Sequence, residues 1–318
     1  MTGHSVGIDA VGPLGRLLGS GGQAKVFSAP HAELPDEPGP LVYKRYRAGH
    51  APSHGLAAVV ARRLRMDGVT RHRLDRSAAW PLRTVEEDGE VLGVLMRLIP
   101  DEYFQDRTRS GGEPTRTLRE IQHLFVDPAR SARLGMPVPD EDGRLLVCRD
   151  LALALHLLHR NDLVAGDINP KNAVFQLAGR PRVMLVDCDG IRIRGAAAVV
   201  RQLDAPDWEP PEGTPTQATD LYKFGLFVLR CLSPGAFAST ARDHRRLVGV
   251  LPPEGLGLLE AALSTDPEGR PTAQRWGRYL DALLAERQRG AVVPEEARTR
   301  ATTGWRRDPR TRRWVQGA

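Results

Sequence analysis

The stretch from Leu145 to Gly190 constrains the chain most, because it prescribes four local structures in a fixed order. LLVCRDLALALHLLHRND carries apolar residues at helical spacing, Leu151, Leu155 and Leu158 with their neighbours, and closes at the Asn161-Asp162 pair. VAGDINPKN follows as a turn-rich segment in which Asp167 and Asn172 flank a proline. AVF and RVMLV then predict two short strands joined by the turn residues LAGRP, and the second strand stops at Asp187, Cys188, Asp189 and Gly190. A hairpin therefore brings two acidic loops together just beyond the end of a helix.

Two carboxylate-bearing loops with an asparagine between them can hold a hard divalent cation and position a hydroxyl, as phosphoryl transfer from a nucleotide requires. Asp-x-x-Pro-x-Asn alone is equally an ordinary turn, so this reading demands a phosphate cradle elsewhere. LLGSGGQAKVF sets Gly19, Gly21 and Gly22 between two predicted strands, where bare backbone can approach a phosphate; the same residues also suit a flexible hairpin turn. LVYKRY places Lys44 in the middle of an apolar strand. A phosphate partner explains a lysine there, and an exposed edge strand is the alternative.

With 318 residues, 41% of them hydrophobic, the chain has enough apolar material for one large or two moderate domains. No apolar run of membrane-spanning length and no secretory leader stand in the sequence, which predicts a cytoplasmic protein without a membrane partner. Cys148, Cys188 and Cys231 are scattered and odd in number, arguing against a disulfide framework or a CxxC metal site. His156 and His159 predict packing and hydrogen bonding at a helix end rather than a zinc pair. The net charge of +6 belongs mostly to residues 289–318, where eight arginines face Glu295, Glu296 and Asp308. That basic tail, with Trp305 and Trp314, is expected to be a solvated extension rather than a nucleic-acid site. Residues 53–66 predict a helix, ARRLRMDGVTRHRLDR a solvated face of that helix and its following loop, and TVEEDGEVLGVLM a hairpin turning at Asp88-Gly89.

Taken in order, these pieces resemble a divergent bacterial member of the eukaryotic-like Ser/Thr protein kinase superfamily, over about residues 14–285. GSGGQAKV resembles the glycine-rich loop G-x-G-x-x-G-x-V, with Ala24 at its third glycine. The resemblance assigns nucleotide binding to Gly19, Ser20, Gly21, Gly22, Ala24, Val26 and Lys44, catalysis to Asp167, and metal binding to Asn172 and Asp187, with Asp189 as the alternative ligand in DCDG. PPE, TDLYKFG and DPEGRPT resemble the C-lobe of such kinases: Asp220 would brace the catalytic loop, and Glu212 and Arg270 would form a buried ion pair. The implied fold is α+β and bilobal, with a small antiparallel-sheet N-lobe at 14–98 and a mainly helical C-lobe at 99–288, preceded by an extension at 1–13 and followed by the tail at 289–318. The implied cofactors are ATP and Mg²⁺ or Mn²⁺, and the implied substrate is a protein hydroxyl.

The sequence departs from the family in three places. Ala165 and Gly166 replace the His and Arg of H-R-D, and IRIRGAAAVVRQLDAPD between Gly190 and Trp208 holds no Ser, Thr or Tyr, so activation by phosphorylation of this loop is not expected. From Arg45 to Val85 there is no glutamate to pair with Lys44; Asp67 and Asp75 are the only acids. Asn169 stands where the family has a lysine, leaving Lys171, two residues further on, to reach a transferring phosphate. A nucleotide-binding pseudokinase scaffold and a small-molecule phosphotransferase, which shares the G-D-x-x-x-x-N loop, are the alternatives.

Overall fold

The computed structural model describes residues 3–51, 55–107, 115–195, 205–291, 305–307 and 314–316. The chain opens with a six-stranded sheet built from β1 (Ser5–Gly7), β2 (Leu17–Ser20), β3 (Ala24–Ser28), β4 (Leu41–Tyr46), β5 (Pro81–Glu87) and β6 (Glu90–Arg97). Their spatial order is β1-β5-β6-β4-β3-β2. Alternation along β4 sends Tyr43 to one face, where it packs with Leu82, Val85 and Leu95, and Val42 and Tyr46 to the other, with Ala24, Val94 and Met96. Lys44 shares the second face and lies in a central strand, paired on one side to β3 and on the other to β6. Asp88 (φ 50°) and Gly89 (φ 84°) make the β5–β6 turn, both left-handed as a two-residue hairpin requires.

The sheet is mixed rather than purely antiparallel. β1 runs parallel to β5, from Ser5 opposite Thr84 to Gly7 opposite Glu86, and Val11 just beyond it is fully buried. The segment before residue 14 thus covers the edge of β5, whose backbone groups would otherwise stand unpaired.

The arginine-rich stretch is also more ordered than its composition suggests. After α1 (Leu56–Leu64), a second helix, α2 (Gly68–Ser77), starts where Asp67 accepts the Thr70 N–H at 2.9 Å. Arg63 is not on a solvated face. It is 1% exposed and clamped between Glu37 and Asp75.

The remainder of the chain is mainly helical. β7 (Phe104–Arg107) and β8 (Thr115–Leu118) pair with each other, followed by α3 (Pro128–Arg133) and α4 (Glu141–Arg160). Next come β9 (Leu163–Val164), β10 (Ala173–Gln176), β11 (Arg182–Leu185), β12 (Arg192–Ile193), α5 (Gln217–Leu232), α6 (Pro253–Ala262) and α7 (Ala273–Ala291). Asp140 caps the start of α4 through the Gly143 N–H at 2.7 Å, and Asn161 closes its end by donating to the Leu157 carbonyl. The stripe of Leu151, Leu155 and Leu158 joins Phe224, Phe227 and Trp276 in the main core. Each fully buried leucine there contributes roughly 1.5–3 kcal/mol of transfer free energy.

Trp80 ties α1 to the sheet, and bonds from Ala79 and Arg62 seat this region against the helical part. Trp80 is buried and donates its indole N–H to the Val59 carbonyl at 3.3 Å. Ala79 N–H donates to the Leu185 carbonyl at 2.8 Å, two residues before Asp187. Arg62 of α1 donates to the Asn161 carbonyl at 2.9 Å, at the end of α4.

Among the described residues the fold is α+β, with a mixed sheet and seven α-helices. No described helix is long and apolar enough to cross a membrane, and all three cysteines are free and buried. In the tail, β13 (Trp305–Arg307) pairs antiparallel with β14 (Trp314–Gln316), and α7 runs through Ala291, past the expected boundary at 288. Most of the hydroxyl-free segment after Gly190, residues 196–204, lies outside the described residues.

Candidate functional site

The geometry of the site starts from a ladder. β10 pairs antiparallel with β11 from Ala173 opposite Leu185 to Gln176 opposite Arg182, and one step further the Val186 N–H donates to the Asn172 carbonyl at 2.9 Å. Asn172 and Asp187 are thereby held at the same end of one hairpin, as the spacing of the two acidic loops predicts.

The loop before β10 is fixed from within and from below. Asn172 Nδ2 donates to Asp167 Oδ2 at 2.7 Å and to the Asp167 carbonyl at 3.2 Å, and Asn169 Nδ2 donates to Asp167 Oδ1 at 3.0 Å. Asn169 Oδ1 accepts the N–H groups of Lys171 and Asn172, so this side chain ties the turn to the carboxylate. From below, fully buried Asp220 at the start of α5 accepts the N–H groups of Ala165 and Gly166, both at 2.8 Å, and meets His159 Nε2 at 3.0 Å. Lys223, one turn later, donates to the Gly166 carbonyl at 2.6 Å. Gly166 has φ 72°, and that left-handed turn presents both of its backbone groups to α5. Lys171 is exposed on the rim of the loop.

Across from this loop, Lys44 reaches out of the sheet. Its ammonium donates to Asp189 Oδ1 at 2.6 Å and to Asp187 Oδ1, and Tyr46, two residues along β4, donates its hydroxyl to Asp189 Oδ2 at 2.6 Å. Asp187 adopts the left-handed conformation (φ 62°, ψ 40°), uncommon outside glycine and tolerated by aspartate. That kink turns both carboxylates of DCDG toward one lysine. Burial alone would lower the Lys44 pKa, but the two carboxylates hold it above the usual lysine value. Burial also opposes ionisation of Asp189, yet Lys44 and Tyr46 keep its carboxyl below the usual aspartate value. At Asp187 burial and the neighbouring Asp189 outweigh Lys44 and move the carboxyl up.

The glycine-rich turn lies beside this cluster. Val26 is the cross-strand partner of Lys44, and Ala24 that of Tyr46. A Cβ added at Gly19 or Gly22 would meet nothing within 4 Å, and at Gly21 only the Ala24 carbonyl at 3.8 Å. None of the three has positive φ. Neither backbone strain nor crowding within the chain requires glycine here. A ligand lying against the turn would, because side chains would hold it off the backbone amides. Arg47 pins the turn by donating to the Gly21 carbonyl at 3.1 Å.

The donor chemistry fits a hard cation. Asn172 commits its amide nitrogen to Asp167, which leaves its amide oxygen as the group to offer, and Asp187 is a carboxylate 45% exposed at its side chain. Two oxygen donors supplemented by phosphate and water suit Mg²⁺ or Mn²⁺ better than a site enclosed wholly by protein. Among the described residues there is no cluster of three or more His, Cys, Asp or Glu side chains that could hold a metal, so the candidate set depends on the asparagine.

Glu212 and Arg270 do meet. Arg270 Nη2 donates to Glu212 Oε2 at 2.8 Å, and its other nitrogen bonds the second carboxylate oxygen as well as the Ala218 carbonyl. Arg270 is enclosed, but the Glu212 side chain is 25% exposed, so the pair is buried from one side only. His159, in the last turn of α4, bonds Asp220.

Tyr46, Asn169 and Lys223 are the site residues that sequence reasoning missed. Tyr46 carries the clearest signal, since it sits two residues from Lys44 on the same strand face. A cavity of about 250 Å³ lined by Arg76, Trp80, Leu98, Tyr103 and Arg182 lies apart from this cluster, and none of the site residues lines it. No family model and no curated protein matches the chain.

Proposed function

We propose that the chain is an ATP-dependent protein kinase of bilobal fold that transfers a γ-phosphate to Ser or Thr hydroxyls. One observation carries the reading: Lys44 from the sheet meets the Asp187 and Asp189 loop from the helical part, one hairpin away from the Asp167 and Asn172 pair. Metal, nucleotide phosphate and acceptor hydroxyl each have a complementary group there.

Residues Gly19 to Val26 cover the nucleotide, and Lys44 grips its phosphates. Asn172 and Asp187 would hold Mg²⁺ or Mn²⁺, which supplies positive charge against the phosphate oxygens. Asp167, fixed by Asn169 and Asn172, orients the acceptor hydroxyl and takes its proton, while Lys171 at the rim reaches the transferring group. Phosphoryl transfer asks for little covalent help, so positioning and charge neutralisation carry the rate. The rigid seating of the 165–172 loop on Asp220 supports such positioning.

A nucleotide-binding pseudokinase scaffold is the second reading. It is favoured by the double engagement of Lys44 with both acidic residues rather than with an acid on α1. Incubation with γ-labelled ATP, Mg²⁺ or Mn²⁺ and several Ser/Thr-rich protein acceptors decides between them. The kinase reading expects metal-dependent transfer that is lost in Asp167→Ala and Asp187→Ala. Nucleotide binding without transfer would support the scaffold, and absence of both would overturn the whole assignment.

A further inference from the structure

We propose that the two acids of DCDG divide the work: Asp189, held by Tyr46, is the fixed partner of Lys44, and Asp187 is the carboxylate left free to face a cation. This rests on the nucleotide-binding reading above and gives Lys44 a carboxylate partner in a chain whose stretch from Arg45 to Val85 has no glutamate.

Exposure and bonding separate the two residues. The Asp189 side chain is 7% exposed and both of its oxygens are engaged, Oδ1 by Lys44 and Oδ2 by Tyr46, each at 2.6 Å. The Asp187 side chain is 45% exposed, so beyond its contacts with Lys44 and Asp189 part of the carboxylate still faces solvent. Tyr46 and Lys44 come from the same face of β4, so the sheet itself orients Asp189, and the Tyr46 ring lies 5.8 Å beneath the Lys44 ammonium.

Neither helix between β4 and β5 offers a substitute. Asp75 on α2 is committed to Arg63, with bonds of 2.7 Å to both carboxylate oxygens, and Asp67 caps α2 at its exposed start. A lysine that must grip phosphates needs a partner that stays in place when metal binds. A carboxylate buried between a lysine and a tyrosine hydroxyl satisfies that requirement; one half open to solvent does not. Tyr46 and Asp189 are therefore positioning residues, acting on nucleotide through Lys44.

The test separates metal-free from metal-dependent nucleotide affinity. ATP binding is measured by calorimetry in EDTA and in Mg²⁺ for the full chain and for Asp189→Ala, Asp187→Ala and Tyr46→Phe. Asp189→Ala is expected to weaken binding in EDTA by about tenfold, the scale of one charged hydrogen bond, while the gain on adding Mg²⁺ persists. Tyr46→Phe shifts the same quantity in the same direction by less. Asp187→Ala lowers the EDTA affinity by less than Asp189→Ala does and removes the Mg²⁺ gain. The reverse pattern would overturn the division.

If the wild-type chain binds no nucleotide in either condition, the functional reading fails and the pairing is decided separately. In ¹⁵N-lysine-labelled protein without nucleotide, a slowly exchanging Lys44 ammonium signal, assigned by its loss in Lys44→Met, is expected to survive Asp187→Ala and vanish in Asp189→Ala. Its survival in Asp189→Ala, or its loss in Asp187→Ala, would contradict the proposal.

Discussion

Two basic residues lie buried between pairs of carboxylates, yet their surroundings differ in kind. Arg63 is bound by two oxygens of Asp75 and two of Glu37, and none of these three side chains is more than 6% exposed. Lys44 is bound by Asp189, which is enclosed, and by Asp187, which is 45% exposed. The first cluster has its hydrogen-bonding capacity consumed internally and serves to lock α1 and α2 to the 36–37 turn and to Arg97 at the end of β6. The second keeps one carboxylate in reserve beside an amide oxygen and a glycine turn. A closed cluster reads as structural and an open one as functional, although their charge counts are alike.

The sharpest way to break this comparison is to remove each cation. Arg63→Met leaves two buried carboxylates without a partner and is expected to cost about 3–5 kcal/mol, read as a large fall in the denaturation midpoint. Lys44→Met strands one buried carboxylate rather than two, since Tyr46 still serves Asp189 and Asp187 turns to water, and is expected to cost less, about 1–2 kcal/mol. Equal losses would erase the distinction.

Arg270→Ala tests an intermediate case. Its partner Glu212 is a quarter exposed, so relief by water reduces the loss to about 2–3 kcal/mol, below that of Arg63. A loss as large as that of Arg63→Met would mean that the carbonyl bonds to Ala218 and Ser264, rather than the ion pair, dominate.

A smaller effect follows pH. Burial would by itself raise the Glu37 carboxyl, but hydrogen bonds and charge from Arg63 and Arg97 outweigh it and hold the group below its ordinary 4.5. Because the folded value is the lower one, the stabilisation is complete above about pH 4.5 and is lost as pH falls through the depressed folded value. The urea midpoint should be level from neutral pH down to this point with respect to Glu37 and fall below it, and Glu37→Gln should flatten that acid limb. An acid limb unchanged in Glu37→Gln would remove Glu37 from the closed cluster's account.

What the sequence made legible was local. The 3.6-residue periodicity of α4, the turn chemistry of GDINPKN and the strand signals on either side of LAGRP all act within a few residues, so helix, loop and hairpin lie where the sequence predicts them. The partners that close each cluster are far away in the chain. Arg63 finds Glu37, 26 residues earlier in the loop before β4, and Tyr46 finds Asp189, 143 residues on. An arginine run therefore looks solvated when read alone, and Asp189 in DCDG looks like a spare ligand. β1 escaped for the same reason, since nothing in three residues of SVG announces a parallel partner at Thr84 to Glu86.

The most direct measurement of the central claim is calorimetric titration of the folded chain with ATP in the presence of Mg²⁺, alongside Lys44→Met at equal stability. The open cluster predicts saturable one-to-one binding by the wild-type chain and its loss in the variant. Absence of binding by the wild-type chain, or equal binding by both, would contradict the assignment of the Lys44, Asp187 and Asp189 cluster as a nucleotide site.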